Sequence, residues 1–319
     1  APGRLLVTWE DVTVDAETAA ALDVSPRDRV MHLERVLLAD GVRIGLESTY
    51  LPRHRFADLA EGISLHVYTL PTGDWGKKGA ATGFPEAEWA STMKRTLRMA
   101  DVIEDQKAIL KKHDLPADAF GLYVDEWGMW VDQDEATDPP ALYQQGSIRD
   151  AIVAGLNLNL FHAHADVVKM TNIAQMVNVL QAMILTDGPD MVLTPTYHVF
   201  DMYQPFMSAE ALEMNLQSPD YVFGDVTVPA ISASAARTED SRIVLALVNA
   251  SAHDDHLVDA SAFGASKATG RILQGEEMDS HNTFDAPDRV QPAPYIVDGT
   301  ADDLVLSIPA RSVVVVTLD

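Results

Sequence analysis

Apolar and polar positions change rhythm twice along the chain. Over residues 1–62 the pattern is mostly two-residue alternation: residues 5–14, 30–38 and 42–51 read as strands. The alanine-rich run 17–22 between them reads as a short helix. Ala39-Asp40-Gly41 has the chemistry of a hairpin turn joining the last two strands. This is a truncated α+β segment with antiparallel pairing. From residue 63 onward, short apolar strands at 63–70, 120–124 and 167–170 alternate with helical periods. Those periods cover 85 to about 113, 147 to about 162, and 173–185, with Trp89, Met93, Leu97 and Met99 marking the first helix face. Strand and helix in alternation are the mark of parallel βα units. Beyond residue 194 the helical period fades. Residues 221–228, 242–249, 271–273, 304–308 and 312–318 read as strands between turns rich in Gly, Pro, Asp and Ser, which predicts an antiparallel β-sandwich. The fold expected is α/β plus all-β, in three stretches: 1–62, 63–194 and 195–319.

Composition narrows the function classes. Among 319 residues, 23 are Lys or Arg and 48 are Asp or Glu, a formal charge of −25. Such a field repels phosphate backbones, so no nucleic-acid partner is expected. Hydrophobic residues make up 47%, enough for real cores. Cysteine is absent, which removes disulfides, thiolate metal sites and a Cys nucleophile. No apolar run approaches the length of a membrane span and no signal-type block opens the sequence, so a soluble, cytoplasmic protein is expected. Usage also shifts: residues 1–62 hold seven arginines and no lysine, the first lysine being Lys77.

The candidate chemistry lies at the end of a strand. Gly121-Leu122-Tyr123-Val124 has a buried-strand pattern and runs directly into Asp125-Glu126-Trp127-Gly128-Met129-Trp130. In parallel βα architectures reacting groups sit where strands end, and a carboxylate flanked by aromatics suits a sugar ring. The bland alternative is an acid on a loop whose aromatic neighbours pack inward. His162-Ala163-His164-Ala165-Asp166 resembles a metal cluster, but histidines two apart do not share a helix face, and the run is read as structural. No metal and no cofactor are expected.

Several motifs resemble a known family. Ile63-Ser64-Leu65-His66-Val67-Tyr68-Thr69, Gly121 to Gly128, Leu142-Tyr143-Gln144-Gln145, Arg149-Asp150-Ala151, the run 172–180 and Leu193-Thr194-Pro195-Thr196-Tyr197 resemble the second half of α-L-arabinofuranosidases of glycoside hydrolase family 51. The resemblance implies a retaining hydrolase on a partial (β/α)8 barrel followed by a C-terminal β-sandwich. It implies Glu126 as the nucleophile, with His66, Tyr68, Trp127, Trp130 and Gln175 around the sugar. Arabinofuranosyl oligosaccharides would be the substrates, and self-association through barrel and sandwich surfaces is suggested.

Two features disturb that implication. The family's proton donor is a glutamate following an asparagine upstream of the nucleophile, yet residues 1–125 contain no asparagine. The 132 residues from 63 to 194 give three βα units, where a closed barrel takes about 250 residues. The first stretch, in Val30-Met31-His32-Leu33-Glu34-Arg35-Val36 and Glu47-Ser48-Thr49-Tyr50-Leu51-Pro52, resembles the effector-binding (UTRA) domain of GntR-family bacterial regulators. Arg35 and Glu47 match positions that face the metabolite there. The reading is a fusion near Gly62 of a partial UTRA segment to the later part of an arabinofuranosidase, with turnover impaired. The alternative is a non-catalytic metabolite-binding module.

Overall fold

The computed structural model describes residues 2–39, 42–52, 61–112, 120–133 and 142–319. The chain divides into two compact units, Ala1–Glu61 and Gly62–Asp319.

The first unit is built from β1 (Pro2–Thr13), α1 (Ala16–Leu22), β2 (Arg29–Ala39) and β3 (Val42–Pro52). The strands form one antiparallel sheet in the order β1-β2-β3. Helix α1 starts at Asp15, whose carboxylate accepts from Thr18 N at 2.7 Å, and stops at Asp23 in the left-handed region. Among the described side chains, Ala19 of α1 and Val30 and Met31 of β2 are buried. His32 stacks on Tyr50 across the register, with ring centroids 4.5 Å apart. The expected turn residues Asp40 and Gly41 lie outside the described residues.

The second unit opens with β4 (Glu61–Thr69), α2 (Glu86–Lys112), β5 (Phe120–Met129), α3 (Ile148–Ala163) and β6 (Val168–Ile173). The strands form a sheet in the order β4-β5-β6, with β5 and β6 parallel. Gly62 permits the close approach of β4 to β5, since a Cβ there would meet the Tyr123 ring at 2.2 Å and Gly121 O at 2.5 Å. Helix α2 carries Glu86 and Glu88 in its first turn and Lys111 and Lys112 in its last, matching the helix dipole. It buries Trp89, Met93, Met99 and Ile103. The final residue of the expected helix, His113, lies outside the described residues. Helix α3 begins with a capping box in which Ser147 and Asp150 satisfy each other's backbone N–H. It is apolar nearly all round because it is covered on every side.

The expected helix at 173–185 does not form. Its apolar residues divide instead between core and surface: Leu180, Ala182 and Leu185 are buried while Met176 and Val177 are exposed. The backbone groups find non-helical partners, with Asn178 N donating to Ile184 O and Leu180 N to Leu142 O. Asn178 and Leu180 adopt positive φ, and the Asn178 side chain brackets Thr186 through both its amide atoms. This segment leads into a hairpin of β7 (Ile184–Asp187) and β8 (Asp190–Leu193). A short helix follows, α4 (Pro195–Met202), with Pro at its first turn.

The remaining strands are β9 (Glu210–Leu212), β10 (Asp220–Phe223), β11 (Val226–Pro229), β12 (Ile231–Arg237) and β13 (Ile243–Asn249). They continue with β14 (His256–Asp259), β15 (Lys267–Gln274), β16 (Ala293–Asp298), β17 (Val305–Ile308) and β18 (Ser312–Leu318). Six of them form a sheet in the order β16-β15-β18-β13-β12-β9. Its two faces feed two cores. Val244, Ala246, Val248, Val313 and Val315 join Leu122, Val124, Trp127 and the residues of α3. Leu245, Leu247, Val314 and Val316 pack with Leu304, Leu306 and Ile308 beside the β14–β17 pair. The C-terminal region is therefore sheet-rich, and one core runs from the β4–β6 sheet through α3 into it. No helix of the described residues is long and apolar enough to cross a membrane.

Candidate active site

Strand β4 alternates cleanly. Ile63, Leu65 and Val67 pack against the core, leaving Ser64, His66 and Tyr68 on the opposite face. Strand β5 does not alternate throughout. Val124 and Trp127 pair with Thr171 and Ile173, so Asp125 and Glu126 together oppose the single residue Asn172. This bulge lets two consecutive acids emerge partly exposed between the buried Val124 and Trp127.

The bulge brings the two acids to the side chains of β4. Tyr68 Oη donates to Glu126 Oε2 at 2.8 Å. His66 lies between the carboxylates, its Nδ1 3.3 Å from Glu126 Oε2 and its Nε2 3.3 Å from Asp125 Oδ1. Ser64 Oγ reaches both Asp125 oxygens at 2.9 Å. Burial, then the hydrogen bond to Glu126 and its charge, raise the Tyr68 phenol well above its ordinary range, so it remains a proton donor to the carboxylate at neutral pH. The segment beyond Glu126 is held by buried amides. Gln181 accepts from Met129 N at 2.6 Å, and Gln144 accepts from Val131 N and donates to Met129 O, both at 3.0 Å. Gly128, at φ +138, makes the turn between them without strain.

Aromatic rings stand beside this cluster. Trp130 meets Tyr68 edge-on at 5.0 Å and Trp75 at 5.5 Å. Trp75, 60% exposed in the loop after β4, was not singled out from the sequence. Its isolation among Gly, Asp and Lys in Gly73-Asp74-Trp75-Gly76-Lys77 was the available signal. A cleft of about 210 Å³ lies beside Tyr68 and Trp75. A larger one of about 800 Å³, between α2, α3 and the β9–β12 edge, shares no residue with the cluster.

Of the residues expected around the sugar, His66, Tyr68 and Trp130 gather with Glu126. Trp127 does not. It is fully buried, edge-on to Phe161 at 5.3 Å and stacked on Phe200 at 6.0 Å. The bulge sets the two acids on one side and turns Trp127 to the core, which corrects its expected place in the pocket wall. Gln175 is exposed just after β6, with its backbone N donating to Val179 O and no contact with Glu126 among the described hydrogen bonds. Arg35 and Glu47 are directly paired positions of β2 and β3, and their side chains lie outside the described ones. His162, from the metal-like run, contacts Ser234 Oγ at 2.9 Å. No group of three or more metal-ligating side chains occurs among the described residues.

Comparison with known proteins separates the two units. Residues 1–70 match the UTRA domain, taking in β4 as well as the first unit. A stretch of 59 residues is 51% identical to the HTH-type transcriptional repressor PhnF of Mycolicibacterium smegmatis, covering 18% of this chain and 24% of that protein. Over 272 residues the chain is 39% identical to the intracellular exo-α-L-arabinofuranosidase of Bacteroides ovatus, covering 83% of this chain and 52% of that protein. The crystal structure of the GH51 arabinofuranosidase from Xanthomonas axonopodis pv. citri superposes with a TM-score of 0.77 at 42% identity. It covers 82% of this chain and 54% of that one. The chain thus spans about half the length of the relatives it matches in the second unit. Residues 125–312, beginning at the acid pair itself, match the α-L-arabinofuranosidase C-terminal domain, and by that match over more than half its length the chain belongs to this family.

Proposed function

We propose that the second unit carries the nucleophile side of a retaining α-L-arabinofuranosidase. One observation carries this reading: Glu126, at the end of β5, is addressed at once by the Tyr68 hydroxyl and the His66 ring. The Tyr68 hydroxyl donates to one carboxylate oxygen and the His66 ring stands 3.3 Å from the same oxygen, which leaves the other for attack. Glu126 attacks the anomeric carbon of a terminal arabinofuranosyl group, the glycosidic C–O bond breaks, and a glycosyl ester forms. Water then cleaves that ester with overall retention. Trp130 and Trp75 supply apolar faces for the sugars. Residues 63–194 are read as the last βα units of a (β/α)8 barrel and residues 195–319 as its β-sandwich. Arabinofuranosyl oligosaccharides are the proposed substrates, the cytoplasm the proposed location, and self-association a further expectation.

Retaining hydrolysis needs a second carboxyl group about 5 Å from the first to protonate the leaving oxygen and activate water. No asparagine precedes Glu126, so the Asn-Glu pair that would supply it has no counterpart upstream in this sequence. Turnover by this chain is therefore proposed to be slow, by about 10²- to 10⁴-fold for substrates that need protonation. A dinitrophenyl 2-deoxy-2-fluoro-arabinofuranoside tests this, since its leaving group departs without help. The expected result is a mass increase of one fluorosugar on the peptide containing Glu126, absent in Glu126→Gln. With the unfluorinated analogue, azide accelerates turnover and gives the arabinosyl azide of retained configuration. Efficient hydrolysis of an unactivated arabinoside would refute the impairment, and no labelling would refute the nucleophile.

A second reading rests on the identity of the first stretch to a repressor. Residues 1–62, preserved as part of an effector domain, bind a small metabolite through Arg35 and Glu47. Calorimetry with sugars, sugar phosphates and organic acids decides it. Binding lost in Arg35→Ala and retained in Glu126→Gln supports a sensor, and no heat with any of them dismisses it.

A further inference from the structure

The acid pair is not symmetric. Glu126 receives Tyr68 and His66, and its second oxygen has no described hydrogen bond. Asp125 is occupied on both oxygens by Ser64 and additionally faces His66 Nε2. The two acids are thus linked through one imidazole, each ring nitrogen lying 3.3 Å from one of them. The ring is about half exposed, so packing alone does not hold its orientation. What fixes it is the chain Ser64–Asp125–His66.

We propose that Asp125 is a positioning residue for Glu126, acting through His66: its carboxylate, steadied by Ser64, captures the Nε2 edge of the imidazole so that the Nδ1 edge stays against Glu126 Oε2. The inference rests on Glu126 being the nucleophile only for its kinetic consequence. The bulge in β5 is the structural precondition, because regular alternation would send Asp125 to the opposite face from Glu126. Attraction to both carboxylates requires a proton on each ring nitrogen, so the two acids hold the ring together. Among the described residues, the charged and titratable groups facing the ring are Asp125 and Glu126 from β5, with Tyr68 two residues along its own strand. Asp125 touches no sugar in this scheme. It prevents ring rotation that would take the imidazole away from Glu126, and small misplacements of a reacting group cost up to about a hundredfold in rate.

The decisive measurement is the side-chain ¹⁵N spectrum of the full chain. The His66 signals are identified by their loss in His66→Gln. In the wild type, both ring nitrogens, each beside a carboxylate, are expected to show the protonated signature. In Asp125→Ala the two nitrogens move towards the averaged values of a free imidazole, and in Ser64→Ala they move the same way by less. The other nine histidines stay in place, which reports an intact fold. In parallel, labelling of Glu126 by the dinitrophenyl fluoroarabinoside slows by about tenfold or more in Asp125→Ala and by less in Ser64→Ala. A His66 signature unchanged in Asp125→Ala overturns the proposal, whatever the labelling shows. A wild type that is not labelled but whose His66 signals respond to Asp125 keeps the positioning and removes the nucleophile reading. The two failures are therefore distinguishable.

Discussion

The two larger sheets of the second unit are patterned differently, and the difference separates stability from chemistry. In the six-stranded sheet, β13 and β18 are apolar on both sides, because α3 covers one face and the β14–β17 region covers the other. In the β4–β6 sheet only one face is apolar. Its other face holds Ser64, His66, Tyr68, Asp125 and Glu126 in a hydrogen-bonded row. Stability is concentrated where both faces are covered. Chemistry sits where one face is left to polar side chains that hold one another in place. Helix α3 packs against both sheets, so the frame of the site is set by the sheet that carries none of it.

Substitutions break this comparison in a definite order. Glu126→Gln abolishes covalent labelling by the activated fluoroarabinoside. It lowers unfolding free energy by about 1–2 kcal/mol at most, since the amide oxygen still accepts from Tyr68 and the side chain is 43% exposed. Leu247→Ala, in the middle of β13 and fully buried, does the converse. It lowers stability by about 2–5 kcal/mol in denaturant titration and leaves the labelling rate of the folded fraction unchanged.

Acid sharpens the contrast on either side of α3. Burial pushes the His162 imidazole, hydrogen-bonded to Ser234 of β12, down to about 4. Between the ordinary value of 6.5 and 4 the unfolded chain takes up a proton that the folded chain refuses, so this group makes the protein less stable as pH falls. Burial pushes Asp150, in the cap of α3, up to about 6. Between 6 and 3.8 the folded chain takes up a proton that the unfolded chain does not, so this group makes it more stable as pH falls. Each effect is about 3 kcal/mol over its window, and they oppose. Relative to the wild type, His162→Gln gains stability between pH 6 and pH 4 and Asp150→Asn loses it. Chemical denaturation at several pH values reads both slopes, and parallel curves for all three proteins would contradict the assignment.

The smallest effect belongs to the donor on β4. Tyr68→Phe removes one hydrogen bond to a charged acceptor, worth about 1.5–3 kcal/mol, and slows labelling by about ten- to a hundredfold without unfolding the chain. Labelling as fast as the wild type would show that His66 alone orients the carboxylate.

Much of this was legible in sequence because strands and long helices state their period. The short apolar strand read at 63–70 is β4, with Ile63, Leu65 and Val67 on its core side. The abrupt end of the apolar run before Asp125-Glu126 marked the acid. Strand β12 escaped notice because Ile231–Arg237 is made of Ala and Ser, which pack into the core without an apolar signature. The apolar residues of 173–185 have helical spacing, whereas their backbone groups pair in non-helical patterns within the run, as Asn178 N with Ile184 O, and with Trp127 and Leu142 outside it. The resemblance implies a pocket place for Trp127, but the bulge in β5 turns its ring into the core.

Local chemistry written along the chain was enough to specify most strand and helix periods, the acid at the strand end and the change of character near Gly62, while His66 and Tyr68 came from the resemblance to family 51. Which side of β5 each residue faces, which carboxylate Ser64 and His66 hold, and how α3 joins two sheets into one core emerged only on folding. These depend on register and on hydrogen bonds between residues some sixty positions apart, such as Ser64 to Asp125, and no local period encodes a pairing at that distance.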